Sequence, residues 1–153
     1  MRQTIEMPKY IFYIIVSLCV GIIIFNSIET IIKAKDIDLF NKWILSKELN
    51  INVIGQTKQQ LYSTYLSMCL STYFVRIITV IALAIHSYFT FVKIGVNKLY
   101  VYIWIMLLIF SFVLILFGQS VYNIFFVLSA ICYLGLLIAM IYLFKFINYR
   151  RMI

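Results

Sequence analysis

The sequence predicts an all-α membrane protein with four transmembrane helices in an antiparallel bundle. Three observations carry that prediction. Hydrophobic residues make up 65% of the 153-residue chain and charged residues only 12%, against roughly 45–50% and 25% in soluble domains. The mean hydropathy is +1.04. The apolar residues fall in long runs that charges bound but seldom interrupt. Such a chain cannot cover a core with polar surface, so the bilayer must be its solvent. One polytopic domain spanning residues 1–153 follows from the length.

The first helix is expected at about residues 10–28. Arg2 and Lys9 precede an uncharged run from Tyr10 to Ile28. That run is longer than the roughly 7–15 residues of a signal-peptide core, and no small-x-small cleavage site follows. It reads as a retained span of about 28 Å.

Residues 29–60 form the one polar stretch of any length. They hold Glu29, Asp36, Asp38 and Glu48, with Lys33, Lys35, Lys42, Lys47 and Lys58 between them. Asp36 can cap a short helix reaching about Leu49, with Ile37, Phe40, Trp43 and Ile44 on one face and Asp38 paired to Lys42 on another. This segment is expected either to lie amphipathically in the membrane interface or to form a solvated loop docked on the bundle. Phe40, Trp43 and Ile44 are its candidate interaction surface. Gly55 and Gln56 mark a turn.

The second span is placed at about 66–92. A continuous helix from Leu61 to Val92 would be about 48 Å long, more than a hydrocarbon core of about 30 Å. Between Lys98 and Lys145 no charge occurs. One helix of that length would measure roughly 69 Å, so the run must fold into two spans. They are placed at about 100–117 and 121–144, with the break at Gly118-Gln119-Ser120. Asn123 would fall just inside the fourth helix.

Four spans bring both termini to one side, with Arg2, Lys9, Lys93, Lys98, Lys145, Arg150 and Arg151. The short basic 93–98 connection against the uncharged 118–120 turn predicts that this side is cytoplasmic and that residues 29–60 are extracytoplasmic. A cell-membrane location follows. The net charge of +8 is dispersed between apolar runs rather than gathered into a basic stripe, which argues against nucleic-acid binding and for contact with membrane lipid.

An intramembrane arginine is a functional hypothesis. Thr72, Arg76, Thr79, Leu83, His86 and Thr90 share an arc of about 80° on a helix, a stripe expected to face the bundle interior. The competing reading lets Arg76 snorkel to the headgroups. If Arg76 is buried, its expected partner is Glu29 at the end of the first helix, a structural tie. His86 is the only histidine and reads as an interior side chain bonded to a carbonyl or a threonine. Ser129, Cys132, Gly135 and Ala139 form a candidate packing face on the fourth helix. Cys19, Cys69 and Cys132 read as packing residues. Neither a metal nor a cofactor has a motif here.

The expected function is therefore non-enzymatic: an accessory or interaction subunit of a membrane complex, or an immunity-type protein. Its expected partner is another membrane or extracytoplasmic protein. The alternative is a small channel or transporter component, acting as a homo-oligomer, with its polar path around Arg76 and His86. Gly21, Phe25, Lys33 and Phe40 resemble the entry of DoxX-type proteins. The later spans do not, and no property of that family is carried over.

Overall fold

The computed structural model describes residues 5–48, 57–117 and 123–150. It contains five α-helices: α1 (Lys9–Lys35), α2 (Ile37–Glu48), α3 (Lys58–Phe89), α4 (Lys98–Phe117) and α5 (Ile124–Arg150). A π turn, Thr90–Ile94, extends α3. The stretches Lys9–Lys35, Lys58–Ile94, Lys98–Leu116 and Ile124–Arg150 are each long and apolar enough to cross a membrane. The turns expected at 55–56 and 118–120 lie outside the described residues.

Local chemistry explains where the helices begin. The Asp36 carboxylate accepts from the Asp38 and Leu39 amides, each at 3.0 Å. Thr57 and Gln60 form a reciprocal capping box at α3, satisfying two otherwise orphaned donors. Asn97 accepts from the Tyr100 amide at 2.8 Å and Asn123 from the Phe126 amide at 2.9 Å. Asn123 is thus a cap ahead of α5, not its first turn. The π turn closes through the Gly95 amide on the Thr90 carbonyl at 2.8 Å. Gly95 then takes φ 73° and ψ 165°, a region open in practice only to glycine. It turns the chain so that Val96 exchanges both backbone hydrogen bonds with Ile5.

Each long helix buries one stripe. On α1 it is Ile11, Ile15, Cys19, Ile22, Asn26 and Glu29; on α5 it includes Phe126, Ser129, Tyr133, Leu136, Met140 and Leu143. These recur every three or four residues, as a helical face requires. The central core joins α1, α3, α4 and α5. A smaller cluster of Phe40, Leu61 and Tyr65 holds α2 on α3, with Trp43, Ile44 and Cys69 against it.

Paired contacts fix the ends. Tyr10 meets Tyr142, Phe12 stacks on Phe91, and Tyr102 meets Phe144. The start of α1, the end of α5 and the α3–α4 connection therefore share one end, the basic end, with Lys9, Lys93, Lys98, Lys145 and Arg150. At the opposite end, the α2 end, Tyr62 and Tyr65 of α3 donate to the Ala34 and Lys33 carbonyls of α1. Helix α1 thus continues past Ile28 to Lys35. A helix ends where its backbone bonding is diverted, here at Asp36, and not where charges first appear.

Candidate functional site

Charged residues of α1 and α3 meet at Glu29, which is 1% exposed. Its Oε1 accepts from Arg76 Nη1 at 3.1 Å and from the Lys33 ammonium one turn along α1. Arg76 is 6% exposed and does not snorkel. Its backbone carbonyl accepts the Tyr133 hydroxyl at 2.8 Å. One carboxylate thus holds two cations, and the trio keeps one net positive charge. This links α1, α3 and α5 near the α2 end. The expected tie joined Glu29 to Arg76 alone, although Lys33 stands four residues from Glu29, the spacing at which helical ion pairs form.

Below this trio, further polar side chains join helices in pairs. Asn26 Nδ2 donates to Ser129 Oγ at 2.9 Å. Ser111 donates to Thr79 at 2.8 Å, and Ser87 shares a 2.7 Å hydrogen bond with Tyr100. Ser27 and Tyr73 lie at 2.9 Å. Asn26 was an unread residue; a lone asparagine four residues before Thr30 offers no spacing signal.

The expected interior stripe on α3 is corrected at two positions. Arg76, Leu83 and Thr90 are buried, and Thr79 is half-buried against Ser111. Thr72 and His86 are exposed. The Thr72 hydroxyl returns to the Met68 carbonyl at 2.9 Å, which satisfies it locally. Among the described residues His86 bonds neither a carbonyl nor a threonine. Its Nδ1 accepts from the Trp104 indole at 2.9 Å, which places the ring proton on Nε2. An arc of 80° is wide enough to straddle the border between bundle and surroundings. Nor does Asp38 pair with Lys42 among the described residues; Lys42 faces a cleft instead.

The small face of α5 turns inward onto α1. A Cβ on Gly135 would stand 3.2 Å from Leu18 Cδ1, and one on Gly21 would stand 3.4 Å from Cys132 Sγ. Ser129 and Ala139 are buried in the same contact region. Of the α2 residues, Phe40 is buried, while Trp43 and Ile44 are partly covered by α3.

Two concavities flank this arrangement. A cleft of about 600 Å³ lies among α1, α2 and α3, with Lys33, Lys42, Arg76, Trp43 and Tyr65 on its walls. A groove of about 590 Å³ lies between α3 and α4, lined by Val75, Ile78, Leu107, Phe110 and Leu114. Among the described residues no three His, Cys, Asp or Glu side chains come together as a metal-binding group. The chemistry on offer is cationic and aromatic at the cleft and apolar at the groove, a combination suited to binding. Comparison with protein-family models, with curated proteins and with solved structures finds no match to this chain.

Proposed function

We propose that the chain is a non-enzymatic, multi-pass protein of the cell membrane that works through protein contacts. It serves either as an accessory subunit of a membrane complex or as an immunity-type protein. In this reading α1, α3, α4 and α5 cross the bilayer as an antiparallel bundle, both termini are cytoplasmic, and α2 lies at the outer membrane surface.

The observation that carries the reading is the length of α3. It runs from Lys58 to Phe89, about 48 Å, more than a hydrocarbon core of about 30 Å. Its first half, on which α2 packs, exposes Leu70 and Phe74 at 52% and 61%. Large apolar side chains exposed beside that contact support an interaction surface. The polar groups inside the bundle support the same reading, because hydrogen bonds between helices already occupy them. The channel alternative finds less support. Its path would need Arg76 and His86 on one interior surface, and Arg76 is buried while His86 is exposed.

A photo-crosslinking residue at Leu70 or Phe74 tests the proposal in native membranes, with Met106 and Ile138 as controls. Leu70 and Phe74 are expected to give a discrete protein adduct and the controls lipid adducts alone. Lipid adducts alone at all four positions would overturn the interaction reading.

A further inference from the structure

The cleft and the groove are neighbours along one helix. Cleft residues on α3 run from Tyr65 to Arg76 and groove residues from Ser71 to Thr79, and Thr72 and Arg76 line both. From the α2 end inward the walls therefore pass from cationic and aromatic to apolar. The order matches a membrane lipid, with a polar headgroup above a hydrocarbon chain.

Charge distinguishes the headgroup. Glu29 accepts from Lys33 and Arg76. Lys33, Lys42 and Arg76 line a cavity of about 600 Å³ with no acid among the described residues on its walls, a field that favours an anion over a zwitterion. The Trp43 indole N–H, on the same wall, has no acceptor among the described residues. A buried donor of that kind calls for an oxygen, and a headgroup carries several.

We propose that this chain binds one phosphate-bearing anionic lipid from the leaflet at the α2 end. Its headgroup sits against Lys33, Lys42 and Arg76, and one hydrocarbon chain follows Val75, Ile78 and Leu114 down the α3–α4 groove. The inference stands independently of the protein-interaction reading, since the outward residues Leu70 and Phe74 line neither concavity.

The test is native mass spectrometry of the full chain in mild detergent, titrated with phosphatidylglycerol and with phosphatidylcholine of the same chains. Phosphatidylglycerol is expected to bind about tenfold more tightly. Lys42→Gln, on an exposed position of α2, should weaken it about fivefold, from the usual contribution of one cation near a membrane surface. Lys93→Gln at the basic end should leave the affinity unchanged. Leu114→Trp, which fills the groove, should weaken the long-chain lipid and spare a dihexanoyl analogue. Millimolar inorganic phosphate should displace nothing. Equal binding of the two lipids would overturn the proposal. So would equal losses from Lys42→Gln and Lys93→Gln, or displacement by inorganic phosphate, which would mean that the site reads a free anion.

Discussion

At the scale of single residues, Glu29 carries the largest electrostatic consequence in the bundle. It is the acceptor for both Arg76 and Lys33, so removing its charge takes from the buried guanidinium its carboxylate partner among the described residues. Breaking a buried pair from one side costs about 3–5 kcal/mol, because the surviving charge stays desolvated. Glu29→Gln is therefore expected to lower stability in mild detergent by about 3 kcal/mol, measured by denaturant titration of helical content. Lys33→Met should cost far less. Its side chain is 20% exposed, and solvent screening reduces such an i,i+4 pair to about 0.3–0.5 kcal/mol. The double variant Glu29→Gln/Arg76→Met should recover part of the loss, since neither charge remains. If Glu29→Gln unfolds with the native transition, the pair contributes nothing to holding α1 on α3.

At the scale of helices, α1 and α5 pack extensively against one another. Gly135 faces the Leu18 methyls at distances that a Cβ would fill, 3.2 and 3.3 Å. Alanine there displaces only the end of a flexible side chain, whereas leucine must force the two backbones apart. Gly135→Leu is expected to destabilise the bundle by about 1–3 kcal/mol, the usual cost of overpacking, and Gly135→Ala by much less; thermal unfolding in the same detergent ranks the two. The small-residue face was legible in sequence because Ser129, Cys132, Gly135 and Ala139 fall on one side of a helix. Its partner was not, because interior and lipid are equally apolar and leave no amphipathic signal to choose between them. The same blindness hid the outward placement of Thr72 and His86. The α2 helix shows the opposite case. Beyond the apolar spans, Phe40, Trp43 and Ile44 stand out against Asp38 and Lys42, so period located most of the face that meets Leu61 and Tyr65; Ile37, expected on the same face, is 69% exposed. The Arg76–Glu29 contact was legible for a third reason: a buried arginine needs an anion, and only one carboxylate lay within reach of the spans.

Over the whole molecule, charge divides the two ends unequally. The basic end gathers Lys9, Lys93, Lys98, Lys145 and Arg150 against Glu6 alone. Lys98 and Arg150 lie 6.0 and 5.5 Å from the rings of Phe144 and Phe146, within the range of cation–π attraction. The α2 end mixes Lys33, Lys35, Lys42 and Lys58 with Glu29, Asp36 and Asp38. Lysine and arginine near the ends of spans are retained on the cytoplasmic side, and acids contribute little to that choice. Lysines stand at both ends, so the short, purely basic α3–α4 connection decides the proposed orientation. Asn41 is an exposed position on α2, clear of the Phe40 and Trp43 face, and suits a topology probe. In a variant with Cys19, Cys69 and Cys132 replaced by alanine, Asn41→Cys is expected to react with a membrane-impermeant maleimide on intact cells. Lys93→Cys is expected to react only after the membrane is opened. The reverse pattern would place the termini outside, and it would move the cation-lined cleft, with any lipid it holds, to the cytoplasmic leaflet. The lipid titration in detergent would read the same in either case, so the labelling experiment alone assigns the leaflet.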